Sequence, residues 1–234
     1  MKRSEINQIM ERAKDFLAER RFALPPFAYW SPEQWVANAH RVDTIVEQQL
    51  GWDITDFGSG DFARVGLFLF TMRNGTPADM DRPTGKVYAE KVLMVEPGQV
   101  TPTHFHYRKM EDIINRGGGV LEVRLWRSTA EDGVDPDTPV EVWMDGIPRE
   151  VPAGGTILLE PGESVCLPQR LFHRFRGKPG AGTVLVGEVS RVNDDRIDNY
   201  FPEGAGRFPA IEEDAPPRHL LIPDYPLYRR TASP

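Results

Sequence analysis

Apolar side chains recur at Ile6, Ile9, Met10, Ala13, Phe16 and Leu17, spaced one, three or four residues apart. On a helix of 3.6 residues per turn this spacing gathers them into one stripe. Residues 4–21 are therefore predicted to be helical, with Ser4 as N-cap. The helix must end before Leu24, Pro25 and Pro26, because proline cannot continue it. Ser31, Pro32 and Gln34 then stand at the N-cap, N1 and N3 positions of a capping-box-like start. A second helix is predicted to run from there through Trp35 toward Leu50, with Gly51 as its stop. His40 falls in it and reads as a surface side chain.

From Phe57 the period changes. Residues 65–71 (VGLFLFT) form an apolar run of strand length, and Arg73-Asn74-Gly75 reads as a turn. Residues 86–96 are strand-like and end at Pro97-Gly98. Residues 120–126 alternate, with Leu121, Val123 and Leu125 on one face. Residues 131–139 are acidic and proline-containing, and read as a solvated loop. Residues 140–144 followed by Asp145-Gly146 are a hairpin signal. Short strands are also predicted at 156–159, 164–167, 171–176 and 183–189. Strands at this spacing predict a sandwich or barrel. The turn-rich, aromatic tail from Asn193 onward is expected to pack over it.

Composition narrows the setting. The 234 residues carry 28 basic and 35 acidic side chains, a net charge of −7. That balance argues against nucleic acid or an anionic membrane as partner, since phosphate binding needs a basic surface. No apolar run approaches the ~18 residues of a membrane span, and the N-terminus lacks the apolar segment of a secretory signal. Cys166 is the single cysteine, so no intrachain disulfide framework exists. It reads as a small buried hydrophobe. The expected location is the cytoplasm.

The candidate chemistry lies between Gly98 and Gly118. His104 and His106 are two of five histidines, and at i and i+2 of a strand they share a face. Glu111 sits at odd spacing from both, so for it to join them the chain must turn between Tyr107 and Glu111, which reads as a strand, a tight connection and a return strand. Gly98, His104, His106, Glu111 and Gly118 together match the first cupin motif. Gly162, Pro168 and His173 match the second, with Arg170 where glycine is usual and Gly177 where asparagine is usual. The likeness points to a mainly β, cupin-type barrel (jelly roll) and to His104, His106, Glu111 and His173 as metal ligands. The expected organisation is a single cupin domain over 1–234: a helical N-terminal extension (1–56), the barrel (57–190) and a C-terminal extension (191–234). Three imidazoles and a carboxylate suit divalent Mn, Zn, Co, Fe or Ni better than Ca or Mg.

Finer likeness narrows the reaction. HFHYRKMEDIINRGGG, GESVCLP, VGEVSRVNDDRIDNYF, LPPFAYWSPEQW, LGWDITDFG and YAEKVLMVEPGQVTP resemble the D-lyxose ketol-isomerase family of cupin sugar isomerases over nearly the whole chain. The resemblance implies a Mn²⁺-preferring aldose–ketose isomerase of carbohydrate metabolism, acting on D-lyxose and D-xylulose with side activity on D-mannose and D-fructose. A homodimer is implied too. Isomerisation through a cis-enediol needs proton-transfer groups. Lys109 is the first candidate, since a nearby dication would lower its pKa. Glu188, amid apolar strand residues, is the second. Lys91 and Arg207 are expected to bind the sugar. Asp194, Asp195 and Asp198 read as turn and capping residues, and His219 as non-catalytic. The competing readings are a cupin dioxygenase using the same ligand set, and a non-catalytic sugar-binding cupin.

Overall fold

The computed structural model describes residues 1–207 and 209–230. Residues 208 and 231–234, within the expected C-terminal extension, lie outside the described residues. The first helix, α1 (Arg3–Glu19), buries Ile6, Ile9, Met10, Ala13, Phe16 and Leu17, the stripe set by the apolar spacing. Ser4 is not its N-cap. Lys2 is extended and bridges Glu212, so the helix starts one residue earlier. Asp214 then accepts from the Ser4 N–H (2.9 Å) and hydroxyl (2.7 Å), capping α1 from the far end of the chain.

The second predicted helix is real at its start and broken thereafter. In α2 (Pro32–Asn38) Ser31 and Gln34 make the expected reciprocal capping box. At Asn38 the side-chain amide donates to the Gln34 carbonyl (2.7 Å), a local competitor of the helical ladder. A 3₁₀ turn (Ala39–Arg41) and a short α3 (Asp43–Glu47) follow. Gln49, at φ 53°, supplies the left-handed cap expected of Gly51. The Leu50 N–H donates to the Ile45 carbonyl and the Gln49 N–H to that of Val46, which is the Schellman pattern.

Gly51 instead opens a strand, β1 (Gly51–Thr55), so the expected helix–barrel boundary at residue 56 is corrected: the barrel sheet begins inside the supposed helical extension. The strands that follow are β2 (Leu67–Arg73), β3 (Tyr88–Val95), β4 (Val100–His106), β5 (Glu111–Gly118), β6 (Leu121–Ser128), β7 (Val134–Asp135), β8 (Val140–Met144), β9 (Ile147–Val151), β10 (Thr156–Leu159), β11 (Ser164–Leu167), β12 (Leu171–Gly177), β13 (Val184–Arg191) and β14 (Asn199–Tyr200). The loop expected at 131–139 thus contains β7, which pairs with β6. The β8–β9 hairpin turns at Asp145 and Gly146, both at positive φ, as the Asp-Gly signal predicts.

Among the described residues the strands form two antiparallel sheets. One runs β1-β2-β3-β13-β5-β11-β8-β9 and the other β10-β6-β12-β4-β14, with β7 beside β6. From β3 onward the chain passes from one sheet to the other at almost every connection, the jelly-roll pattern expected from the motifs. Leu67, Leu69, Leu93, Val123, Leu125 and Val186 fill the space between the sheets. Phe68, Phe70, Val92 and Met94 face the other way, onto α1. Both faces of β2 are covered, which is why 65–71 reads as a continuous apolar run and not an alternation.

A buried ion cluster ties the two ends together. Arg3, 2% exposed, donates to Asp224 through both terminal nitrogens (2.9 Å each) and to the exposed Glu213. Removing one partner of a buried pair leaves an uncompensated charge, at a cost of about 3–5 kcal/mol. Arg3→Leu is therefore expected to lower the free energy of urea unfolding by about that much. Glu213→Gln should change it by less than about 1 kcal/mol. Equal losses from the two variants would contradict this assignment.

Candidate active site and metal centre

The two sheets contribute different chemistry to one internal site. His104 and His106 lie on β4, and His173 on the neighbouring β12, where it is the direct cross-strand partner of His104. The three rings meet with centroids 4.2–5.4 Å apart, and one nitrogen from each lies within 4.8 Å of the others. The facing sheet supplies Glu111 (β5), Glu188 (β13) and Lys91 (β3), with Glu188 directly opposite Lys91. The connection between β4 and β5 is thus not a hairpin return. It carries the chain across to the opposite sheet, and this crossing brings Glu111 to the histidines despite its odd spacing.

Local hydrogen bonds set the histidine tautomers. His104 Nδ1 is 2.8 Å from the Pro102 carbonyl, and His173 Nδ1 is 3.0 Å from that of Leu171. A carbonyl only accepts, so each Nδ1 carries the proton and each Nε2 keeps its lone pair for the site. Burial, reinforced by His173 and His106, holds His104 well below its ordinary pKa. Burial and the Lys109 ammonium lower His106. Both are neutral at pH 7, as metal ligation requires.

Glu111 Oε1 lies 3.2 Å from His173 Nε2 and 3.5 Å from His106 Nε2. Burial raises the pKa of its carboxyl, but Lys109 and His106 outweigh this and hold it well below the usual carboxylate range. His173 Nε2 is buried without a hydrogen-bond partner, and so is His106 Nδ1. An orphaned imidazole nitrogen within a neutral-histidine and carboxylate cluster fits a divalent metal ion.

Around this centre runs a chain of alternating charge. Lys109 Nζ is 2.6 Å from Glu111 Oε2 and 2.8 Å from Glu188 Oε1. Lys91 Nζ is 3.3 Å from Glu188 Oε1 and 3.9 Å from Asp195 Oδ2. Arg207 donates to Asp195 Oδ2 (2.7 Å) and, through two nitrogens, to Asp53 (2.6 and 3.3 Å). Burial opposes the Lys109 charge, but Glu111, Glu188 and Asp195 outweigh burial and raise the pKa; the lowering expected of a dication would act against these three carboxylates. Asp198 fixes this turn by accepting from the Arg108 and Lys109 N–H groups.

The structure thus brings together Lys91, His104, His106, Lys109, Glu111, Glu188 and Arg207 around one pocket. His173 joins them through its contacts to Glu111 and His104. Asp194 pairs with Arg196 at a turn, and Asp198 caps one, as expected. Asp195 differs: it faces the pocket, held well below the carboxylate range because Lys91 and Arg207 outweigh the effect of burial. Asp53, Thr101, Asn199 and Phe201 were also missed. Thr101, Asn199 and Phe201 line the pocket, and Asp53 holds Arg207 from β1.

Elsewhere, His40 is exposed. His219 donates to the Trp30 carbonyl and stacks on Trp52, away from the site. Cys166 is half-buried, its thiol pushed up to about 11 by burial and by Asp112. Arg170 takes up the left-handed conformation usual for glycine in the second motif, at φ 59°. Its guanidinium is tied to Asp132 (2.5 Å). Among the described residues no helix is long and apolar enough to cross a membrane.

The chain is similar to several known proteins over nearly its whole length. The family described as D-lyxose isomerase matches residues 1–225. A protein from Serratia proteamaculans named D-lyxose/D-mannose isomerase is 48% identical over 226 residues, covering 96% of this chain and 98% of its own. One of the same name from Escherichia coli O157:H7 is 46% identical over 234 residues, covering 98% of this chain and all of its own. An Acinetobacter L-ribose isomerase solved with L-ribose shares the fold, with a TM-score of 0.59 at 20% identity, over 91% of this chain and 98% of its own. The Cellulomonas parahominis L-ribose isomerase aligns over the same shares with a TM-score of 0.55, also at 20% identity.

Proposed function

The chain belongs to the D-lyxose isomerase family, and we propose that it interconverts D-lyxose with D-xylulose, and D-mannose with D-fructose, by proton transfer through a cis-enediol. It is an aldose–ketose isomerase. One observation carries the mechanistic reading: the three-histidine cluster on one sheet meets Glu188 from the facing sheet and Lys109 from the β4–β5 connection, the last two paired at 2.8 Å.

His104, His106, His173 and Glu111 would hold a divalent metal, a donor set that suits Mn, Zn, Co, Fe or Ni, with Mn²⁺ the ion that the family likeness implies. When bound, the ion supplies Lewis acidity that makes the proton beside the sugar carbonyl easier to remove. Glu188, a carboxylate that accepts from Lys109, takes that proton from C2 and returns it to C1. Lys109 lies between Glu188 and Glu111 and is placed to pass a proton between the sugar oxygens. Lys91 and Arg207 orient the sugar hydroxyls, and Asp53 fixes the Arg207 guanidinium. We read the chain as a homodimer, from its family likeness, and as cytoplasmic, in keeping with its single cysteine.

Incubating the Mn²⁺-loaded protein with D-lyxose and with D-mannose in D₂O tests the reading. The expected product is ketose carrying deuterium at C1. Absence of ketose from both sugars would overturn the isomerase assignment for these substrates. Ketose with no solvent deuterium would overturn the proton-transfer role of Glu188 in favour of a hydride shift.

A further inference from the structure

Thr101 lies three residues before His104 on β4, and regular alternation would place its side chain on the opposite face. The pairing of β4 with β12 is not regular. His173 pairs with His104, whereas Phe175 pairs with Thr101. Three steps along β4 therefore face two along β12, which is a β-bulge. The extra residue reverses the alternation, so Thr101 lines the same pocket as His104 and His106. Bulges of this kind commonly re-aim a side chain next to an active site.

The hydroxyl brought inward has nothing to bond. Thr101 is 3% exposed, and its Oγ1 is buried without a hydrogen-bond partner among the described residues. Its pocket neighbours include Leu67, Leu69, Leu93 and Phe175, all apolar. A buried hydroxyl without a partner destabilises the fold. Valine has the same shape and an equal preference for strands, and would remove that cost. A buried hydroxyl without a protein partner at the edge of this pocket is what a polyhydroxylated ligand would satisfy.

We propose that Thr101 is a specificity-determining residue that hydrogen-bonds one hydroxyl of the sugar chain beyond the C1 and C2 oxygens. The inference rests on the isomerase reading above. The bulge brings Thr101 to the pocket, and the absence of a protein partner for its Oγ1 among the described residues makes that contact selective. A sugar lacking the matching hydroxyl leaves Oγ1 orphaned and is turned over less well.

The test is Thr101→Val. Its expected signature is a rise in Tm of ~2–4 °C, unchanged Mn²⁺ content, and a KM for D-lyxose about five- to tenfold higher. Wild type and variant are then assayed with 3-deoxy-, 4-deoxy- and 5-deoxy-D-lyxose. For one of these, the penalty that wild type shows relative to D-lyxose should vanish in the variant.

A fall in Tm would show that the hydroxyl has a protein or tightly held water partner, and would overturn the proposal. Unchanged KM together with unchanged deoxy-sugar penalties would also overturn it. The two readings fail separately. A wild type that turns over neither D-lyxose nor D-mannose refutes the isomerase reading, whereas an active wild type with an indifferent Thr101→Val refutes only this one. Thr101→Ser, which retains the hydroxyl, should keep the deoxy-sugar penalty.

Discussion

Replacing His173 with alanine is expected to abolish both metal retention and turnover. His173 is 1% exposed, and its Nε2 points into the cluster with no hydrogen-bond partner. Its loss leaves His104 and His106 on β4 and Glu111 on the opposite sheet, without the imidazole that bridges them. A catalytic metal contributes several kcal/mol of charge stabilisation, so kcat/KM should fall by about 10³-fold or more. Elemental analysis after dialysis, paired with a ketose assay, checks it. His40→Ala is the control, because His40 is exposed and outside the site. A dialysed His173→Ala protein that kept wild-type metal and activity would remove the three-histidine centre from consideration.

The histidines were readable because their signal is local. Two imidazoles at i and i+2 need only a strand to share a face, and the glycines around them mark the turns. Glu111 was harder. Its spacing requires a change of direction after Tyr107, but not whether the chain returns along the same sheet or crosses to the other. Only the pairing of β5 with β13 and β11 settles that.

Asp195 and Asp53 were not readable for a related reason. Asp195 sits beside Asp194 and near Asp198, three carboxylates with the same local turn chemistry. Which of them faces the barrel depends on where Lys91 and Arg207 lie, and both are remote in sequence. Asp53 alternates with Trp52 and Ile54, a pattern that reads as a solvent-facing carboxylate, whereas all five residues of the strand are buried. Thr101 escaped because a bulge reverses the alternation on which the strand reading depends. Gln49 and Arg170 adopt conformations usually given to glycine, so the turns at these positions lack their common signature.

Lys109 yields the most discriminating outcome. Lys109→Met should keep the metal and lose turnover. The ammonium is 2% exposed and lies between Glu111 and Glu188. Removing it takes away no proposed ligand, and it frees Glu111 Oε2, its partner at 2.6 Å, so that more negative charge is available to a cation there. Metal content should therefore equal that of wild type, while kcat falls by about 10²–10⁴-fold, the usual contribution of a positioned acid–base group. KM should move much less than kcat if the group acts in the transition state.

The stability of the same variant separates proton transfer from scaffolding. Without metal, Lys109→Met leaves the buried Glu111 without an ammonium partner and Glu188 with Lys91 alone, a loss of about 3–5 kcal/mol. Metal restores a positive charge beside Glu111, so the rise in Tm on adding Mn²⁺ should be larger for the variant than for wild type. A purely structural Lys109 would give a metal-loaded variant that regains activity as it regains stability. The proton-transfer role requires the metal-loaded variant to be stable and still slow. Loss of metal from Lys109→Met, or a kcat within about tenfold of wild type, which is below the usual acid–base contribution, would rule that role out.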